Sequence, residues 1–259
     1  MTVDSFLAVL VGLALGSFLN VVITRLPRGE PVWAGRSRCP HCGRPIFWYD
    51  NIPLFSYVRL RGRCRACGAA IAWRYPLVEL TGGVLALALW RTFPERLVIL
   101  AYGPFCLALV ALAATDLEHR LLPDAITIPG IVLGLLLSLV LPAMSPAAAA
   151  AGALVGAALF FGIGWLYEKL TGRRGLGGGD VKLMAMIGAF LGVWALPLVI
   201  FISAGLGTLT GLLLVLAQGP GRRSHWRTIS LPYGPFLAAG AWCYLFAGER
   251  LLRLLSGGG

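Results

Sequence analysis

LVILAYGPFCLALVALAATDLEHRLLPD, residues 97–124, settles what kind of chain this is. Leu97 to Thr115 carries no charge, and its length is close to the roughly 20 residues a helix needs to cross hydrocarbon. The run ends on an acid, Asp116, and a short polar turn leads into a second apolar run. GLGGGDVKLMAMIGAF, residues 175–190, has the opposite layout: a glycine run, then Asp180, then an apolar stretch. Ionisable groups at such places are expensive and read by default as functional. The plainer reading makes both acids interfacial helix caps. The functional one brings two carboxyls together between helices, sharing one proton and activating water, which points to an aspartyl hydrolase.

Composition supports a membrane chain. Of 259 residues, 58% are hydrophobic and only 13% charged, and mean hydropathy is +0.81. A soluble domain of this length has no need of so apolar a composition. The expected fold is an all-α, polytopic membrane helical bundle of about eight transmembrane helices. Spans are expected near 5–24, 77–92, 97–115, 125–141, 147–167, 181–193, 195–217 and 233–252. Pro142 and Pro146 divide one long apolar region, and Pro197 falls inside another. The first run, Phe6 to Ile23, follows Asp4 rather than a basic residue, and no small-residue cleavage site precedes Arg25. It reads as a membrane helix, not a signal peptide. Gly152 and Gly156 have the spacing that lets membrane helices approach closely.

The net charge of +11 comes from arginines gathered in particular loops. Nine lie between Arg28 and Arg74; Lys169, Arg173, Arg174 and Lys182 follow the fifth span, and Arg222, Arg223 and Arg227 the seventh. The alternate loops are nearly bare. Eight spans with the N-terminus outside put every basic loop in the cytoplasm. Contact with anionic membrane lipid explains the charge better than nucleic acid, and no nucleic-acid partner is expected. The same topology sets Asp116 and Asp180 on one side, facing the cytoplasm.

Between the first two spans lies the one polar stretch that resembles a soluble module. It carries Cys39-Pro-His-Cys42 and Cys64-Arg-Ala-Cys67, each followed by a glycine. Four thiolates on two short hairpins can enclose a tetrahedral zinc ion. Disulfide or redox use is the alternative, disfavoured by a reducing cytoplasm. A closed four-cysteine site has no open position, so this zinc is structural, stapling a loop too small for a core of its own. His41 reads as exposed. Cys106 and Cys243 read as small buried hydrophobes. Phe47, Trp48 and Tyr49 either pack on the module or form a ligand surface.

Around the acids, Asp124 reads as the cap of the next helix, Glu118 and His119 as solvated turn residues, and Lys182 as a lipid contact. Gly177, Gly178 and Gly179 leave room for an extended peptide to reach Asp180.

These residues resemble those of the bacterial type IV prepilin peptidases, leader peptidases that also N-methylate their products. The similarity runs through GSFLNVVITRLPRGE (16–30), the cysteine module with WYDNIPLFSY (48–57) and RYPLVEL (74–80), TDLEHRLLPD (115–124), GGGDVKL (177–183) and LPYGPFLAAG (231–240). GGGDVKL also carries the Gly-x-Gly-Asp pattern of presenilin-like intramembrane proteases. The resemblance implies Asp116 and Asp180 as catalytic acids and Cys39, Cys42, Cys64 and Cys67 as the metal site. It implies prepilin and type II secretion pseudopilin substrates, cut at the cytoplasmic face between Gly and Phe, in the bacterial inner membrane. It further implies S-adenosylmethionine as methyl donor. Nothing matches the glycine-rich loop of soluble methyltransferases, so the donor site stays unassigned; Glu79, at the start of the second span, is the one acid to consider. The expected division is a first transmembrane helix over 1–26, a cysteine module with the methyltransferase part over 27–76, and an aspartyl peptidase domain over 77–259. A peptidase without methyltransferase activity is the competing reading, and an ion- or proton-coupled transporter a more distant one.

Overall fold

The computed structural model describes residues 3–33, 35–141, 144–172, 176–217 and 231–255. Every regular element among them is helical. Eight long helices fall where the spans were expected: α1 Val3–Arg25, α3 Arg74–Thr92, α4 Arg96–His119, α5 Asp124–Leu137, α6 Pro146–Thr171, α7 Gly178–Leu191, α8 Leu196–Ala217 and α9 Gly234–Leu255; a short α2, Phe55–Arg59, lies in the cysteine module. The segments Val3–Arg28, Arg96–His119, Pro146–Thr171 and Val193–Ala217 are long and apolar enough to cross a membrane by length and composition. Arg173, Arg174, Arg222, Arg223, Arg227 and Pro142, used above for topology, lie outside the described residues.

Local signals explain the helix ends. Ser145 accepts the Ala148 N–H at 3.2 Å, Pro146 opens α6, and Gly172 closes it at φ +67°, the usual polar cap, proline start and left-handed glycine end. Pro197 is tolerated because it lies in the first turn of α8, where no helical acceptor is lost.

The chain forms two compact units, Met1–Thr115 and Asp116–Gly259. In the first, α1 packs along α3. Gly12 and Gly16 of α1 meet Gly82 and Glu79 of α3 so closely that a Cβ at either glycine would clash with backbone. Asn20 adds a bond from its amide to the Tyr75 carbonyl at 3.1 Å. The outer side of α1 shows Phe6, Leu10, Val11 and Phe18. That pattern, small residues inside and large apolar ones outside, suits lipid as the surrounding solvent.

The second unit is built around α7, which packs on α5, α6 and α9. Residues Leu183 to Phe190 are all buried, as a helix apolar on every side must be. α6 runs antiparallel to it. Gly152 touches Gly188 backbone to backbone, and Gly156 lies against Met184, so the spacing noted in the sequence does mark a close crossing.

Two expectations need correction. Asp124 is the first residue of α5 but caps nothing; the preceding residue is Pro123, and the Asp124 carboxylate instead binds Lys182. Cys243 is exposed on α9, while Cys106 is buried as expected. Hydropathy told that α9 is apolar but not which side of it turns inward.

Candidate functional site

Asp116 sits in the last turn of α4 and is buried. Its Oδ2 accepts the backbone N–H of Gly234 at 2.8 Å. Gly234 is the first residue of α9, so the carboxyl faces the positive end of that helix. Only glycine allows this approach. A Cβ at 234 would stand 2.8 Å from Asp116 Oδ2 and 3.2 Å from both Asp116 Cβ and Leu122 Cδ2. After His119 the chain reverses through Arg120, at φ +53°, and returns Leu122 to the site.

Asp180 lies in the first turn of α7. Its Oδ2 accepts the Gly177 N–H at 3.2 Å, the acid half of a capping box; Gly177 has no side chain to supply the other half. Gly179 lies against Leu122, whose Cβ would be 2.8 Å from an added methyl. Leu122 therefore touches the glycine beside each acid. The two carboxyls are also near enough that Asp116 acts electrostatically on Asp180. Lys182 donates to both Asp124 oxygens at 2.7 Å rather than reaching for lipid. The pair is exposed and worth little in stability, but it ties the first turns of α5 and α7 at one level. Glu118 and His119 are exposed, 3.7 Å apart, and solvated as expected, although on the end of α4 rather than in a turn.

Gly234→Ala is expected to leave the bundle folded, since the Asp116 side chain can swing away, and to lower about tenfold or more any peptide cleavage in which Asp116 takes part, through misplacement of that carboxyl. Peptide-cleavage kinetics check this; an unchanged rate would show that the Gly234 contact does not position Asp116.

In the cysteine module, the two knuckles are copies of one another 25 residues apart. Cys39 N–H bonds Arg44 O at 2.9 Å and Cys64 N–H bonds Ala69 O at 2.8 Å; Gly43 and Gly68 N–H groups return to Cys39 and Cys64 carbonyls at 2.9 Å. Gly43 and Gly68 stand at φ +69° and +71°, which is why glycine follows each knuckle. All four sulfurs lie within 4.8 Å of one another, Cys39 and Cys67 at 3.9 Å. Tetrahedral zinc with Zn–S near 2.3 Å needs sulfurs about 3.8 Å apart, so the donor set fits zinc in both chemistry and spacing. The backbone N–H groups of Cys67 and then Ala66 help hold the Cys64 thiol down to about 7, while at Cys67 the Ala69 N–H is outweighed by burial and the neighbouring cysteine sulfurs, which push it up to about 11; metal binding here therefore releases protons. Arg65 grips Asp50 with two bonds, 2.7 and 2.6 Å, and holds its carboxyl below the ordinary range.

Glu79 Oε2 accepts the Leu54 N–H at 2.8 Å. Leu54 stands at φ +59°, a conformation costly for a branched side chain. Glu79 thus holds a strained turn of the module against α3.

A helical membrane bundle whose two acids are linked through one leucine and two glycines, with a four-sulfur module between its first long helices, has the build of an intramembrane peptidase. Residues 10–93 match the bacterial peptidase A24 N-terminal domain, and residues 104–212 the type IV leader peptidase family. The chain is 40% identical over 276 residues to a prepilin leader peptidase/N-methyltransferase of Burkholderia pseudomallei (strain 1026b), covering 96% of this chain and 87% of that one. It is 39% identical over 271 residues to the protein of that name from Aeromonas hydrophila, covering 95% and 92%. With the one from Myxococcus xanthus (strain DK1622) it shares 44% over 214 residues, covering 83% and 64%. No solved structure matches. The chain belongs to the type IV leader peptidase family.

Proposed function

We propose that this membrane enzyme removes the leader of type IV prepilins and type II secretion pseudopilins with Asp116 and Asp180, and then methylates the new N-terminal amine. The single observation carrying the proteolytic reading is the arrangement of the acids: each accepts a glycine N–H at a helix start, Asp116 from Gly234 and Asp180 from Gly177, with Leu122 packed between Gly234 and Gly179. For the pair to act on one peptide bond, one carboxyl must be ionised and the other protonated, a division that repulsion between like charges favours. The ionised partner takes a proton from water as the oxygen attacks the scissile carbonyl carbon. The protonated partner gives its proton to the carbonyl oxygen. Collapse of the tetrahedral species breaks the C–N bond, the amine leaves with a proton, and the leader ends in a carboxylate. Gly177 and Gly234 hold the carboxyls in place, and the absence of side chains there leaves room for an extended substrate.

The functional division follows the sequence: the first transmembrane helix over 1–26, the cysteine module with methyl transfer over 27–76, and the peptidase over 77–259. Cys39, Cys42, Cys64 and Cys67 hold a structural zinc ion. S-adenosylmethionine, when bound, supplies an electrophilic methyl group on a sulfonium. The chain lies in the bacterial inner membrane, among its lipids, with the basic loops and both acids toward the cytoplasm; no nucleic acid takes part. The test is incubation of the purified chain with a synthetic prepilin and labelled methyl donor, read by mass spectrometry. Cleaved and methylated product is expected. Cleaved but unmethylated product would remove the methyltransferase half, and an uncut peptide would remove the whole reading.

A further inference from the structure

We infer that the cleft bounded by Arg36, Ser37, Ile46, Phe47, Trp48 and Asn51 is the seat of the adenosyl half of the methyl donor. This rests on the methyltransferase reading above.

The internal copy of the knuckle carries the inference. Ser37 to Ile46 in the first half corresponds to Gly62 to Ile71 in the second. The Ile46 N–H bonds Ser37 O at 2.8 Å, and the Ile71 N–H bonds Gly62 O at 2.7 Å. Bridges pair Arg38 with Pro45 and Arg63 with Ala70. By the same offset Trp48 corresponds to Trp73. In the second half the place between these residues is filled from within. Tyr57 lies over Gly62, its hydroxyl 3.0 Å from where a Cβ would stand, and its ring is 5.6 Å from that of Trp73. In the first half the equivalent place, between Ser37 and Trp48, is a cleft of about 220 Å³. Trp48 is 81% exposed, as Trp73 is at 79%, and Phe47 is 54% exposed with one face stacked on Tyr49 at 5.3 Å, so the two halves differ in the Tyr57 plug rather than in tryptophan exposure. One copy is plugged by the chain's own aromatic ring; the other stands open beside two exposed ones.

The lining selects the chemistry. The Trp48 indole, and the face of Phe47 not stacked on Tyr49, offer stacking surfaces for a planar base, worth about 1–3 kcal/mol each where bases stack on aromatics. The Asn51 amide can pair with an adenine edge, as asparagine does elsewhere. Ser37 can bond a ribose hydroxyl. Indole faces attract cations such as a sulfonium, and Arg36 suits a carboxylate. The volume, below the roughly 300 Å³ of ordinary ligand pockets, fits part of the donor and leaves its methyl end outside, open to a substrate amine. In the transfer, the amine nitrogen forms the new N–CH₃ bond, the S–CH₃ bond breaks, its electron pair stays on sulfur to give S-adenosylhomocysteine, and the ammonium proton goes to solvent. Cys39 lies two residues along the chain from Ser37, so loss of the cysteine cluster's fold would disturb the cleft as well.

The test is equilibrium dialysis of the full chain in detergent against labelled S-adenosylhomocysteine, with zinc content measured on every sample. Wild type is expected to bind saturably. Trp48→Ala should weaken binding about tenfold or more, and Trp48→Phe should restore most of it. Ser37→Tyr, which plugs the cleft as Tyr57 plugs its counterpart, should abolish binding without removing an aromatic contact. Ultraviolet crosslinking of the same label to wild type should mark a peptide within 36–51, and this needs no variant. Label found in the membrane helices, or equal binding by Trp48→Ala and Ser37→Tyr with zinc retained, would overturn the cleft while leaving methyl transfer standing. Absence of binding to wild type would overturn the methyltransferase reading together with it.

Discussion

Asp116→Asn is expected to remove leader cleavage while the chain still inserts and folds. Asparagine has the same shape, and its carbonyl can still accept the Gly234 N–H now bound by Asp116 Oδ2. What it loses is the ability to carry or accept a proton. General acid–base groups contribute about 10²–10⁴-fold, and in the proposed mechanism both roles depend on one shared proton, so activity should fall by about 10⁴ or below detection. Asp180→Asn, which keeps its own bond from Gly177, should match it. The double variant should be no worse than either single one, because residues acting as a unit are not additive. Rates of peptide cleavage measure all three. A single variant within tenfold of wild type would take that acid out of the chemistry.

Loss of zinc should have the second largest effect. Among the described residues from 27 to 77 only Cys39 and Ser56 are buried. Hydrophobic burial therefore cannot hold this module, and the proposed zinc is what would. Structural zinc sites of this kind supply about 10–16 kcal/mol in isolated finger peptides. Cys39→Ser, or a strong chelator, should strip stoichiometric zinc, expose 27–76 to limited proteolysis and stop methyl transfer. Metal analysis with protease digestion is the check. A chain purified without zinc and resistant to protease in that region would show that something else holds it.

What could be read from the sequence was whatever is local. The apolar runs gave the helices, and the knuckles with their trailing glycines gave the cysteine cluster, because spacing and φ are short-range matters. Asp116 and Asp180 stood out because a charge at the end of an apolar run is a local anomaly. Their partners did not. Gly234 reaches Asp116 across 118 positions and Lys182 reaches Asp124 across 58, and no periodicity encodes such pairings. Lys182 seemed bound for lipid, and Asp124 for a cap, because each was weighed alone. Leu122 is one leucine among many until the turn at Arg120 sets it between two glycines. The Tyr57 plug became visible only once the two knuckles could be laid on one another.

The antiparallel crossing of α6 and α7 also fixes a depth. Gly152 meets Gly188 and Gly156 meets Met184, so position 160 lies level with position 180, and Phe160 indeed rests against Tyr233, next to Gly234. Past that level α6 climbs on to Trp165, over whose ring Lys169 lies, the pairing of an indole with a cation common at a membrane surface. Five residues of helix rise about 7 Å. On the proposed reading the acids would work at the bottom of a notch about that far below the Trp165 level, and a pilin would dip its peptide bond into it while solvent follows. Lipids with longer tails deepen the notch, so turnover in reconstituted vesicles should slow as acyl chains lengthen; a rate indifferent to thickness would place the acids at the surface.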